Sequence, residues 1–272
     1  MKRKVFFVSD RTGITVEALG ESLLTQFPGI DFERIRIPFV DTEAAAELAA
    51  QQISAASEAD GIEPIVFSTL TDPAIRSVIR ARATFDFDLF GAFIEPLETA
   101  LEQHSTHSVG RKHGIVDVHA YERRLNALNY TLSHDDGLRI NDLTDADIVL
   151  LGVSRSGKTP TCLYLGMHYN LRAANYPITE DEYDEASLPP ILEAVRERLY
   201  GLTIVPEQLS RIRKQRRPDG IYASLGQCRA EVARTEALFR REGIPWLDTT
   251  TISIEEIAAT IVRDTNLRAA RR

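Results

Sequence analysis

The 272 residues are 43% apolar and 26% charged and carry a formal charge of -8. That balance excludes a disordered chain and argues against a protein whose main business is nucleic acid, because gripping a phosphate backbone needs a net basic face. A chain of this length buries a real core without metals or cross-links.

The first strand is expected at residues 5–8 and the first helix at 14–27, with an apolar stripe of Val16, Leu19, Leu23 and Phe27. A helix over 43–59 leads to a strand in "IEPIVFSTL", and Asp72-Pro73 has the form of an N-cap and first helical residue for "AIRSVIRAR". Residues 97–114 are the least periodic part and read as a crossing between domains, followed by a helix at 121–132 with "HDDG" as its exit. The second half restarts with a strand at 147–152 and a helix at 158–169. Further strands are expected in "RAANY", "GLTIV" and "IPWLD", and a last helix opens on Ser253 and Glu256 at capping-box spacing.

Alternating strands and helices predict an α/β fold. An N-terminal α/β domain at 1–141 precedes a P-loop nucleotide-binding α/β domain with a largely parallel sheet at 142–272. No internal repeat is visible in the sequence. Cys162 and Cys228 lie far apart and in no CxxC pattern, so they read as small buried hydrophobes of a protein in a reducing compartment. The apolar runs are too short for a membrane span or for the core of a signal peptide, and the expected location is cytoplasmic, with no membrane partner and no nucleic acid.

The chemistry concentrates in "LLGVSRSGKTPTCLYL". Gly152, Val153, Ser154, Arg155, Ser156, Gly157, Lys158 and Thr159 satisfy GxxxxGK[ST] between a strand and a helix. Such a loop turns successive N–H groups inward, and the next helix adds its positive end. Lys158 would reach phosphate oxygens and Thr159 would offer its hydroxyl to Mg2+. Pro160 is tolerated in a first helical turn.

Four other polar clusters are candidates beside the loop. Residues 9–13, "SDRTG", close the first strand where α/β sheets place ligands, though Asp10 or Thr12 also suits a helix cap. His134, Asp135 and Asp136 could supply a base for a hydroxyl nucleophile or a Mg2+ ligand, or merely a solvated turn. Asp248, after the apolar "IPWL", suits a second acidic metal position or a plain strand exit. The basic run Arg211 to Arg217 is either a solvated helix face or an arginine-bearing lid.

These residues resemble a known family. "VSDRTGIT", "LNYTLSHDDG", "ADIVLLGVSRSGKTPTCLYL", "AANYP", "GLTIVPEQL" and "YASLGQCRAEV" are similar, in order and over nearly the whole length, to the bacterial phosphoenolpyruvate synthase regulatory proteins. Those are related to the regulators of pyruvate, phosphate dikinase. The resemblance implies an ADP-dependent kinase that inactivates phosphoenolpyruvate synthase by phosphorylating a threonine, and a phosphorylase that removes the phosphate with inorganic phosphate as co-substrate, releasing pyrophosphate. On that reading Lys158 and Arg155 neutralise the transferring group, and Asp135 or Asp136 orients or deprotonates the target threonine. The inorganic phosphate would sit in the cradle or beside it at residues 10–12. A dikinase target, a P-loop kinase of a small metabolite and a nucleotide-dependent docking switch are the competing readings, and self-association is left open.

Overall fold

The computed structural model describes residues 2–106, 118–135, 143–178, 188–216 and 220–267, with only the helical backbone described at 118–120. The chain divides into two units, Met1–Gly114 and Ile115–Arg272.

In the first unit β1 (Arg3–Ser9), α1 (Ile14–Leu24), β2 (Phe32–Ile37), α2 (Glu43–Asp60), β3 (Ile65–Thr69), α3 (Pro73–Arg80), β4 (Phe85–Asp88) and α4 (Gly91–Leu101) follow one another. The described strands pair in parallel in the order β2-β1-β3-β4. β1 is central because both of its faces are apolar. Phe6 and Val8 pack with Ile53 of α2 and Ile75 of α3, while Val5 and Phe7 pack with Val16 and Leu24 of α1. Each such side chain, removed from water, contributes about 1.5–3 kcal/mol.

Of the stripe expected on the first helix Val16 is buried, and beyond it the buried face runs one position on from the expected one. α1 buries Val16, Gly20 and Leu24, whereas Leu19, Leu23 and Phe27 are exposed. Gly20 explains the shift: a Cβ there would stand 2.5 Å from the Phe7 ring, so the missing side chain lets the helix lie down on β1 and β3 along that face. Asp72 does cap α3, accepting from the Ala74 N–H at 2.8 Å with Pro73 as first residue.

The second unit contains α5 (Val118–Ser133), β5 (Ile148–Gly152), α6 (Lys158–Tyr169), β6 (Ala173–Asn175), α7 (Pro190–Glu193), β7 (Leu199–Thr203), α8 (Pro206–Arg216), α9 (Leu225–Glu242), β8 (Trp246–Asp248) and α10 (Ile254–Asp264). Its described strands are also all parallel, in the order β6-β5-β7-β8. The α/β architecture expected from the sequence is therefore present in both halves. β5 is buried along its whole length. Ile148 and Leu150 face Cys162 and Leu165 of α6 and Ile257 and Ile261 of α10, and Val149 and Leu151 face Leu238 and Phe239 of α9.

The expected boundary near Asp142 falls outside the described residues. α5, placed by the sequence reading before that boundary, packs against α6 and β6 of the second unit. Gly166 of α6 lies at that contact, where a Cβ would stand 3.4 Å from Thr131 Oγ1, within ordinary van der Waals distance. The last helix carries the capping box seen in the sequence, Ser253 with Glu256. Among the described residues no helix is long and apolar enough to cross a membrane.

Candidate functional site

β5 and β6 lie side by side, while the chain reaches β7 on the opposite side of β5. The crevice beyond the carboxyl end of β5, where the order reverses, is where open α/β sheets take ligands. The loop from Gly152 to Gly157 fills the rim of that crevice.

Gly152 has φ 146°, and a Cβ there would stand 2.2 Å from the Leu202 carbonyl oxygen, so the strand can turn beside β7 only without a side chain. Arg155 occupies the left-handed region at the loop tip, φ 78°. Gly157, φ 96°, is the N-cap of α6 and provides no side-chain cap, so the positive end of α6 is left to the loop and its occupant. The Lys158 ammonium, buried, folds back to donate to the Gly152 and Val153 carbonyls at 2.8 and 3.0 Å.

The loop is braced from outside. Arg213 of α8, 0% exposed, donates to the Ser154 carbonyl at 3.1 Å and to both carboxylate oxygens of Glu231 at 2.6 and 3.1 Å. Its guanidinium stacks on Tyr222, 4.1 Å from the ring centroid. The Tyr222 hydroxyl lies 3.0 Å from Ser154 Oγ. From the other side Thr249 donates to the Ser156 carbonyl at 3.0 Å.

α5 delivers the acid. Just past its end the His134 carbonyl accepts the Asn175 N–H at 3.0 Å, stitching the helix exit to the end of β6. Asp135 thereby meets the cradle: its Oδ1 accepts from the Thr159 hydroxyl at 2.8 Å and from Asn175 Nδ2 at 2.8 Å. The His134 ring is stacked on Tyr130 at 3.9 Å, with Nδ1 2.8 Å from the Tyr130 carbonyl.

Asp135, Arg155, Lys158, Thr159, Asn175 and Arg216 share the walls of one cavity of about 550 Å3 with the loop backbone. Three cations against one carboxylate make it a site for anions. A larger cavity, about 770 Å3, lies at the far end of α6, where Arg123 and Arg172 line it, and it includes no residue of the Gly152–Gly157 loop. Arg155 and Arg216 are exposed, free to meet a bound phosphate.

The donors suit magnesium held largely by substrate. Among the described residues no cluster of three or more His, Cys, Asp or Glu could cage a metal. Thr159 with Asp135 beside it offers the one or two protein oxygens that a magnesium ion takes when phosphates and water complete its shell.

Other sequence candidates stand elsewhere. Asp136 lies outside the described residues. Asp248 is exposed at the end of β8, two strands from β5; its carboxylate accepts from the N–H and hydroxyl of Thr250, and it does not line the cavity. Asp10, 6% exposed, belongs to the first unit and accepts from the Thr71 N–H and hydroxyl at 3.1 and 2.7 Å. It is not a helix cap, since Gly13 holds that position. The basic run is divided, Arg213 serving as an internal brace and Arg216 facing the cavity. Burial, and secondarily Asp135, push the Cys162 thiol well above its usual range, which makes it a neutral core filler. Asn175, Arg213 and Tyr222 were not read as site residues; their only sequence signal was membership in the strings "AANYP" and "YASLGQCRAEV" and in the basic run.

Comparison with known proteins places the chain among relatives. Residues 5–262 match the model of a family described as kinase/pyrophosphorylase. A protein of Alkalilimnicola ehrlichii is 52% identical over 98% of this chain and 97% of its own. One of Halorhodospira halophila is 53% identical over 96% and 95%, and one of Hahella chejuensis is 49% identical over 98% of each. All three are described, provisionally, as phosphoenolpyruvate synthase regulatory proteins.

Proposed function

This chain belongs to the kinase/pyrophosphorylase family, and from that premise we propose that it regulates phosphoenolpyruvate synthase in both directions at the cradle of its second unit. The observation that carries the reading is the cavity that joins a phosphate-binding loop, three cations and a carboxylate hydrogen-bonded to Thr159.

In the inactivating direction a threonine hydroxyl of the target attacks the β-phosphorus of ADP. The threonine O–P bond forms, the bridging bond to the α-phosphate breaks, AMP leaves, and the hydroxyl proton passes to Asp135. In the activating direction an oxygen of inorganic phosphate attacks the threonyl phosphate. A P–O–P bond forms, the threonine O–P bond breaks, pyrophosphate leaves, and the proton given up by the attacking phosphate passes by way of Asp135 to the threonine oxygen.

Lys158 and the N–H groups at the start of α6 hold non-bridging oxygens, while Arg155 and Arg216 neutralise charge on the group in transit. Thr159 would hold magnesium, which when bound neutralises the phosphates. Both directions pass through the same crowded negative charge, so one clamp serves both. The target sets a cytoplasmic location.

The test is the intact mass of phosphoenolpyruvate synthase, charged with phosphate on its catalytic histidine, after incubation with this protein, magnesium and ADP or ATP. One added phosphate on threonine with ADP, removed by inorganic phosphate with release of pyrophosphate, is the expected result. An unchanged target with either nucleotide refutes it, and turnover of ATP with a small metabolite alone would identify a metabolite kinase instead.

A further inference from the structure

Asn175 closes β6 and is 3% exposed. Its Nδ2 lies 2.8 Å from Asp135 Oδ1 and 3.0 Å from Thr159 Oγ1, and those two oxygens are 2.8 Å apart. Atoms at these separations form a nearly equilateral triangle, so the acceptors subtend roughly 60° at the nitrogen, about half the angle between the N–H bonds of a planar amide. Asn175 Nδ2 therefore donates to both oxygens at once.

The amide has one workable orientation. Turned round, Asn175 Oδ1 would face the Asp135 carboxylate, acceptor against acceptor. In the orientation present, Oδ1 is buried with no hydrogen-bond partner among the described residues. A buried amide that leaves its own acceptor unsatisfied lowers stability, and the residues before it in β6, Ala173 and Ala174, show that an alanine packs well in this strand. The unsatisfied amide calls for a reason other than packing.

We propose that Asn175 is a positioning residue for phosphoryl transfer: it locks the Thr159 hydroxyl and the Asp135 carboxylate into one unit, so that the cation-binding oxygen and the proton acceptor keep a fixed separation. The inference rests on the proposed function of the cradle. Thr159 directs its proton to Asp135 Oδ1 and accepts from Asn175 on one lone pair, which leaves the other lone pair for a cation. With Oδ1 engaged twice, Asp135 Oδ2 is the oxygen left to receive a proton from an incoming hydroxyl. Without Asn175 both groups keep their chemistry and lose their alignment, and misalignment of reacting groups is felt in kcat.

Asn175→Ala, Asp135→Asn and the double variant are compared in the transfer assay, with kcat and KM for the target protein separated. Positioning predicts that Asn175→Ala loses about 30-fold in kcat with KM within about twofold, and that adding it to Asp135→Asn removes less than about threefold more, because members of one unit are not additive. A kcat within about twofold of wild type, or multiplicative losses in the double variant, overturns the proposal. If Asn175→Ala fails to fold, Asn175→Ser takes its place under the same criteria.

A second arm needs no turnover. ADP affinity is measured by calorimetry with magnesium and with a chelator. Asn175→Ala should lose the magnesium enhancement as fully as Thr159→Ala does, and retention of the enhancement overturns the proposal. A wild type that binds magnesium and ADP but transfers nothing refutes the target reading and leaves this arm to decide. A wild type that binds no ADP overturns both.

Discussion

The two units repeat one strand order, second-first-third-fourth, with every described pair parallel. Each sends its first strand through a turn that ends in a glycine at positive φ, 78° at Gly13 and 96° at Gly157, which caps the next helix without a side chain. The backbone thus builds a crevice at the same topological point twice, and the side chains separate the two. In the first unit the buried Asp10 carboxylate fills the turn and is spent on Thr71; in the second, Lys158 occupies the turn and Arg155 and Arg216 face the cavity. An internal carboxylate repels phosphate where an internal ammonium attracts it. Fold locates a site, and charge decides whether an anion can use it.

The largest expected effect breaks the comparison at its charged residues. Lys158→Ala should slow phosphoryl transfer by about 100-fold or more, the scale of removing one preorganised contact to the transferring group, while the fold persists. Asp10→Ala should leave nucleotide affinity within about threefold, yet lower stability by about 1–3 kcal/mol because the Thr71 donors lose a buried acceptor. Transfer rates and denaturation midpoints of the two variants, measured side by side, check both halves. Strong loss of nucleotide binding in Asp10→Ala would mean that the units are not divided as described.

Next come the glycines. Gly152→Ala forces a Cβ to 2.2 Å from the Leu202 carbonyl oxygen at φ 146° and should cost about 3 kcal/mol or more, combining overpacking with backbone strain. Gly13→Ala meets nothing closer than 3.9 Å and should cost about 1–2 kcal/mol, the left-handed conformation alone. Urea unfolding of both variants orders them. Equal losses would show that the second loop is no more tightly seated than the first turn.

The smallest effect concerns the acidic character of the first sheet. Burial, opposed by the Ser68 hydroxyl and reinforced by Asp88, raises the carboxyl of Asp86 above its usual range. A raised acid stabilises the fold in its protonated form, so its contribution is complete below the ordinary aspartate value and is lost as pH rises through the folded value. Asp86→Asn should therefore stabilise the protein at pH 7 by less than about 1 kcal/mol, a figure reduced by solvent screening. The gain should vanish below about pH 4. Denaturation at the two pH values reads the difference, and a gain of the same size at both would assign it to packing.

What the sequence by itself determined was local. The cradle was legible because its demands are met by neighbours in the chain: glycines at the two turning points, a lysine and a threonine at the start of the helix. The Asp72-Pro73 start of α3 and the capping box at Ser253 and Glu256 were legible for the same reason. The register of α1 was not, because its buried face is marked by an absent side chain, Gly20, whose value depends on the Phe7 and Phe67 rings beneath it. Nor was the choice of acid. Asp135, in a turn at a helix exit, and Asp248, after an apolar run, were equally open as acidic candidates, and only the pairing of β6 with β5 and the packing of α5 on α6 bring Asp135 to Thr159 while Asp248 stays at a sheet edge. Arg213 read as one charge in a basic run until α9 placed Glu231 against it. These outcomes belong to tertiary structure because each depends on groups distant in sequence, whose meeting is set by strand order and by which helix face is buried.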